Sequence, residues 1–359
     1  MDAESLRGIS RHFDGLDDPR VVGRCDHLLI DILMIALVAL LGDCDDWVEV
    51  ELFGNTHEAW FRRLLKLPHG IPSHDTFERL FARLDPKQMN ACFERWMSHL
   101  CLQLTGQAKT IAIDGKTLRS SAPGSNAPQS NASGKGAGDE LPGALHLVSA
   151  WAQEAKLVLA QVPCDQKSNE ITAIPQLIEM LELKGCTVTI DAMGCQRAIA
   201  EQLHDKRADY VLALKGNQDT LHTQAILLLA EADARPARFG PATHRTEERA
   251  RGRHEVRTYT TMKLGARTTH RVARDHWAGL RAVGRVVSQR TVKGTMTTET
   301  RYFLLSDADA NVKRFAAAVR GHWGIENSAH WVLDVTFGED ANRTHKDHAP
   351  ANLAILRRL

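Results

Sequence analysis

Two short stretches constrain this chain more than any property of the whole. Residues 110–115 read TIAIDG and residues 187–191 read TVTID, each a β-rich apolar run ending on an aspartate. Val, Ile and Thr favour extended backbone, and a near-continuous apolar run suits a parallel strand covered on both faces. In open α/β sheets ligands gather outside the carboxyl ends of the strands, where Asp114 and Asp191 both fall. Either aspartate alone is more often a turn or helix-cap residue. As a pair on one sheet they become a candidate divalent-metal site, because Mg²⁺ prefers hard carboxylate oxygens. A third carboxylate is then expected on a later element.

The surrounding pattern supports such a sheet. Further β-rich runs occupy 145–152, 157–164 and 209–216, and helical stretches EITAIPQLIEMLELKG and CQRAIAEQLHDKRA separate the later ones. This predicts a three-layer α/β unit that opens as a β-meander and continues strand–helix–strand. Residues 120–140 are almost free of apolar side chains and read as a flexible loop. Residues 241–305 alternate Thr, Val and Arg and read as a β-rich basic insertion, and a helical tract follows from Asn311.

Residues 1–105 show apolar spacing of three and four and read as an all-helical N-terminal domain. Within it Ser73 is the expected cap, Asp75 and Glu78 suit the positive end, and Pro86 is the expected stop of one helix. The apolar run 28–41 is only 14 residues long and contains Asp31, so it reads as a buried core helix rather than a membrane span. The start lacks the basic and apolar blocks of a signal peptide. The seven cysteines are odd in number and form no C-x-x-C pair, which suits a reducing compartment.

The net charge of +1 excludes little, but its distribution is uneven. Residues 1–105 hold 11 Lys/Arg against 17 Asp/Glu, whereas 235–301 hold 16 against 5, an excess of 16 − 5 = 11. A basic segment inside a near-neutral chain favours a polyanionic partner. Arg249, Arg251, Arg253 and Arg257 in ARGRHEVR lie in it, and Lys215 and Asn217 end the strand before it. Each can touch phosphate, though a basic hairpin and a capped strand-to-helix turn are the plain alternatives.

The third acid is sought in RGHWGIENSAHWVLDVTFGED, residues 320–340. On a helix His322, Glu326, His330 and Asp334 make one polar stripe drifting about 40° per step, with Trp323 and Trp331 expected on the packed face. A zinc site on His322, Glu326 and His330 is a weaker reading, since it spreads over two turns and lacks a fourth soft ligand.

Six ordered stretches, IAIDGKTLR, HLVSAWA, KSNEITAIPQLIEML, VTIDAMGCQ, DYVLALKGNQ and HWGIENSAHWVLDVTFGED, resemble the DDE transposases of bacterial insertion sequences, of the ISAs-type, H-repeat-associated group. GIPSHDTFERLFARLDP is similar to the end of that group's N-terminal helical domain. The resemblance implies an α/β, ribonuclease H-like core over 106–240, the β-rich insertion at 241–305, and C-terminal helices at 306–359 carrying the catalytic glutamate. It assigns catalysis and metal binding to Asp114, Asp191 and Glu326, with two Mg²⁺ (or Mn²⁺) ions. It implies double-stranded DNA as partner (terminal inverted repeats and target), a homodimer when two ends are synapsed, no membrane, and a bacterial cytoplasmic, nucleoid-associated location.

Candidate DNA contacts on that reading are Lys116, Arg119, Lys215, Asn217, Arg249, Arg251, Arg253, Arg257, Arg320, His322 and His330. Where related transposases carry Tyr, Arg and Lys around the glutamate, this chain has Val319, His322 and Leu333, and Arg320, His330 or Lys346 are the available substitutes. The chain stops at NLAILRRL, mid-helix by pattern, which leaves a truncated or inactive DNA-binding descendant as one alternative function and a related metal nuclease without strand transfer as another.

Overall fold

The computed structural model describes residues 8–21, 23–103, 110–118, 145–164, 170–250, 252–265, 276–342 and 344–358. Arg119, Arg251 and the 120–140 loop lie outside them.

The first third is helical. Helix α1 (Leu29–Leu41) is apolar on nearly every side, and Ile32 to Leu37 are buried. Asp31 is buried in it because its carboxylate accepts the backbone N–H of Leu67 at 2.9 Å, which satisfies a group that burial alone would penalise. Helix α2 (Trp47–Thr56) is capped by Asp46, which accepts the Glu49 N–H. Helix α3 (His74–Arg83) departs from the expected cap: Ser73 Oγ lies 3.2 Å from Thr76 Oγ1 and caps no backbone group. Glu51 of α2 takes that place, accepting the His74 N–H at 2.7 Å. Pro86 follows the end of α3 and opens α4 (Pro86–Gln103), where its missing N–H costs nothing. Among the described residues no helix is long and apolar enough to cross a membrane.

The rest is built on one nine-stranded sheet. In chain order the strands are β1 (Thr110–Thr117), β2 (His146–Ala152), β3 (Leu157–Cys164), β4 (Thr187–Ile190), β5 (Asp209–Leu214), β6 (Ala242–Ala250), β7 (Arg253–Lys263), β8 (Ala282–Val292) and β9 (Thr295–Leu305). Their spatial order is β3-β2-β1-β4-β5-β9-β8-β7-β6. The first three form an antiparallel meander, and β1, β4 and β5 run parallel. Helices α5 (Glu170–Met180) and α6 (Arg197–Asp205) supply the crossovers. The β-rich segment does not stand apart as an inserted body: β9 pairs antiparallel with β5, Leu212 opposite Leu304, so the meander β6–β9 extends the same sheet.

Period-two alternation sorts the side chains. Ile111, Ile113, Val188, Ile190 and Leu212 pack with α5, α6 and α7 (Asp219–Ala234) on one face. Ala112 and Trp151 face the opposite layer, where Ile325, Ala329 and Leu353 join the core of the N-terminal helices. Helix α8 (Val312–Gly324) covers Val211, Tyr259, Val286 and Phe303 on that second face through Phe315 and Val319. It is followed by a π-helical segment (Ile325–His330), helix α9 (Trp331–Val335) and helix α10 (Ala349–Leu356).

Candidate active site

Ile113 of β1 and Ile190 of β4 are direct partners in the parallel register. Asp114 and Asp191 are the next residue along each chain, so the register brings the two aspartates side by side at the carboxyl end of neighbouring strands. Asp114 continues the alternation of Ala112 and therefore faces the α8 layer. Asp191 opens the loop after β4, its Oδ1 accepting the Met193 N–H at 2.9 Å and the Gly194 N–H at 3.3 Å. That loop is tight: a Cβ on Gly194 would lie 2.3 Å from Ile190 Cγ2.

Glu326 comes from the π-helical segment. It lines a cavity of about 260 Å³ together with Asp114, Asp191, Lys215, Arg301 and His322. The Asp114 carboxyl is pushed up to about 7, first by burial and then by the neighbouring Glu326 charge, with Asp191 and Glu170 adding to it. Three acids thus repel one another in a partly closed site, the electrostatic setting that a divalent cation relieves. Hard carboxylate oxygens also suit Mg²⁺ or Mn²⁺. Among the described residues no group of three His, Cys, Asp or Glu is drawn tightly enough together to hold an ion. This leaves the His322–Glu326–His330 zinc reading without support.

The other expected contacts divide by exposure. Lys215 is exposed and faces the triad cavity. Asn217 donates from Nδ2 to the Ala192 carbonyl at 2.6 Å and so braces the Asp191 loop. His322 Nδ1 sits 2.9 Å from Thr189 Oγ1; burial lowers its pKa, with Asp191 opposing. His330 is pushed down to about 4 by burial and by Lys116 and Arg358, and its Nε2 is buried without a hydrogen-bond partner. That buried Nε2 is not presented at the surface to a phosphate.

Lys116 differs most from expectation. It is buried, its ammonium bonded to Asp334 and lying 2.6 Å from Glu339 Oε2, so its charge is already met by carboxylates rather than offered to DNA. The same bond engages Asp334, the other carboxylate of the polar stripe. The tryptophans are also reversed: Trp323 is 42% and Trp331 56% exposed, while Gly321, Ile325, Ala329 and Leu333 are buried. The packed face lies one position before the polar stripe because α8 approaches the β2–β3 hairpin through Gly321, where a Cβ would overlap the Gln153 side chain. Small residues set the contact, and the indoles are left outside.

The basic surface is partly self-neutralised. Arg249 is well exposed, with Glu247 at 3.5 Å. Arg253 lies 3.5 Å from Glu255, and Arg320 is 2.8 Å from Glu248. Arg257 is buried between Glu255 at 2.6 Å and Glu248 at 3.2 Å, so it holds the sheet rather than facing outward. Arg253, Arg257, Arg290 and Arg320 line a second cavity of about 440 Å³. It shares Glu299, Arg301, Val319 and Trp323 with the triad cavity, so the two adjoin across these side chains. The Arg301 guanidinium lies over the Trp323 ring, 5.7 Å from its centroid. Glu299 and Arg301 carry no sequence signal as site residues, since their place depends on β9 pairing with β5.

Comparison with known proteins gives the family. The family model described as "Transposase DDE domain" matches residues 105–359, and "DDE_Tnp_1-associated" matches residues 10–97. The chain is 35% identical over 362 residues to "Putative transposase YncI" of Escherichia coli O157:H7, covering 99% of this chain and 86% of that protein. It is 32% identical over 360 residues to "H repeat-associated putative transposase YhhI" of Escherichia coli (strain K12), covering 99% and 89%. A piggyBac transposase, solved by cryo-EM as a synaptic complex with hairpin DNA, aligns with a TM-score of 0.42 and 9% identity over 98% of this chain and 73% of that one. The chain belongs to the DDE transposase family, in its H-repeat-associated group.

Proposed function

We propose that this chain cleaves DNA at the ends of an insertion sequence and joins the freed 3′ ends to target DNA, using Asp114, Asp191 and Glu326. The observation that carries the reading is the common cavity of these three acids, adjoining an arginine-lined cavity across Arg301 and Trp323. The strand order β3-β2-β1-β4-β5, with β4 and β5 parallel to β1, supports a ribonuclease H-like core.

Asp114, Asp191 and Glu326 would hold the two Mg²⁺ or Mn²⁺ ions that the family implies. Bound there, such ions activate a water and stabilise the leaving oxygen of an in-line displacement. The chain's own groups do the rest. Lys215 and Arg301 face the cavity and supply positive charge for the scissile phosphate. Trp323, exposed beside Arg301, offers a face on which a base can stack. Arg249, Arg253 and Arg320 extend the positive surface for flanking duplex. Cleavage and joining are both phosphoryl transfers, so one site serves both. The full reaction requires two ends held together, which we assign to a homodimer acting in the bacterial cytoplasm on nucleoid DNA.

The test is a gel assay with the element's own terminal repeats and Mg²⁺ or Mn²⁺. Metal-dependent nicking and strand-transfer products are expected from the intact chain. Nicking without transfer would reassign it as a nuclease, and end binding without nicking would make it an inactive descendant.

A further inference from the structure

We propose that Lys116 is a positioning residue for the acidic site: its ammonium, bridging Asp334 and Glu339, fixes the helix carrying Glu326 against the strand carrying Asp114. The proposal rests on the triad reading above and concerns how that site is assembled.

Lys116 lies two residues beyond Asp114 on β1, so both side chains leave the same face of the strand. An ammonium out of water is strongly unfavourable unless it is well paired. Lys116 has two partners, and both lie on the chain just after Glu326. Asp334 is on α9, and Glu339 is in the turn that follows. Glu339 is buried and also accepts from Arg358 Nη1 at 2.7 Å and Nη2 at 3.3 Å. Burial alone would raise the Glu339 carboxyl, but Arg358 and Lys116 hold it below its usual range. Two cations and two carboxylates therefore close a neutral cluster that ties β1, α9 and the C-terminal residues together.

The other half of the catalytic helix has separate anchors. Asn311 caps α8, accepting the Lys313 and Arg314 N–H groups. His322 meets Thr189, and Arg320 meets Glu248. Between these anchors and the Lys116 cluster lies the π-helical segment, and Glu326 sits in it. A π turn holds one residue more than the α-helical ladder, is rare, and occurs mostly at functional sites. It persists when the structure fixes both of its ends. Losing the extra residue would turn the following helix by about 100° relative to the preceding one. Lys116 holds the far end. The cluster thus sets how closely Glu326 can approach Asp114, in the way that outer partners orient the ligands of a metal site.

The experiment is a Mn²⁺ titration of the full-length chain, with free Mn²⁺ read by electron paramagnetic resonance and thermal unfolding measured in parallel. Lys116→Met should weaken Mn²⁺ binding about 10-fold or more, the range seen when outer-shell partners of metal sites are removed. Lys116→Arg, which keeps the charge, should restore most of the affinity. Asp334→Asn, at the partly exposed partner, should move affinity the same way, and the Lys116→Met/Asp334→Asn double variant should lose no more than Lys116→Met alone. Losses that add would make Asp334 a ligand in its own right and overturn the proposal. A lowered melting temperature with unchanged Mn²⁺ affinity in Lys116→Met would reduce the cluster to a structural ion pair. Should Lys116→Met not fold, unchanged affinity in Asp334→Asn has the same force. Asp114→Asn separates the two readings. If it leaves Mn²⁺ binding intact, the triad assignment itself fails; if it abolishes binding while Lys116→Met does not, only the positioning role falls.

Discussion

Glu326 and Asp334 are eight residues apart, and both suit a third carboxylate by spacing along the helix. Their environments separate them: Glu326 lines the cavity of Asp114 and Asp191, whereas Asp334 is bonded to Lys116. We predict that Asp114→Asn, Asp191→Asn and Glu326→Gln each reduce strand cleavage by on the order of 10²–10³ or more, the scale of lost electrostatic stabilisation. Binding to element ends should survive, because it rests on the basic surface. Asp334→Asn should cost less. Cleavage rates under a Mn²⁺ titration decide the matter, and an active Glu326→Gln beside a dead Asp334→Asn would reverse the assignment. His330 gives a pH prediction at the same scale. Its pKa is about 4 in the fold against an ordinary 6.5, so between these values the unfolded chain binds more protons. Stability therefore rises with pH across that window and is lost as pH falls through it, by about 2 kcal/mol at pH 5. Urea unfolding at pH 7 and pH 5 should show a steeper acid loss for the intact chain than for His330→Leu. Equal slopes would count against a buried neutral imidazole. The two aspartates were legible in sequence because a strand end fixes where the next side chain points. Lys116 and Trp323 were not, because their faces depend on Gly321 and on carboxylates more than 200 residues away from Lys116.

The same division holds for elements. Strands β1 to β5 could be read from β-branched runs between turn residues, and α1 from its unbroken apolar surface. That β6–β9 continue the sheet could not, since nothing local in β9 specifies β5 as its neighbour. Nor could the π turn, which IENSAH does not distinguish from α-helix and which long-range anchors hold in place. The basic hairpin of β6 and β7 is where element-scale energetics can be checked. Arg249 and Arg253 keep exposed side chains, whereas Arg257 is enclosed by two glutamates. Replacing Arg249 and Arg253 with Ala should flatten the log K versus log salt slope for duplex binding by about 2, roughly one per lost phosphate contact. Arg257→Ala should leave that slope nearly unchanged and lower stability, because it leaves the buried Glu255 with only the longer contact to Arg253 at 3.5 Å. Fluorescence anisotropy over a salt series, with melting curves alongside, distinguishes the two. An unchanged slope in the double variant would move the DNA path elsewhere.

At the scale of the molecule the question is whether the helical first third folds as its own domain. Composition and periodicity change near residue 106, which suggests a boundary there. The core does not respect it. Ile32, Phe61, Phe77 and Phe93 belong to the same buried cluster as Ala112, Trp151 and Val158 of the sheet and Ile325 and Ala329 of the segment bearing Glu326. Leu353, Ile355 and Leu356 of α10 complete that cluster. Asn352, fully buried, donates from Nδ2 to the Phe81 carbonyl at 2.8 Å and the Leu84 carbonyl at 3.0 Å, pinning α10 to the end of α3. Removing residues 1–105 would therefore expose Trp151, Ile325 and the apolar side of α10 together, and would leave the segment bearing Glu326 unsupported on one side. Uncovering several such side chains forfeits about 1.5–3 kcal/mol each, against a total stability of only about 5–15 kcal/mol for a typical domain. We predict that the full chain unfolds in a single transition by near- and far-ultraviolet circular dichroism. The 106–359 fragment should bind a hydrophobic dye and show no cooperative melt. A fragment that melts cooperatively within a few degrees of the full chain would mean that the helical layer is a separable domain, and that the Glu326 segment is held by the sheet, α8 and the Lys116 cluster alone.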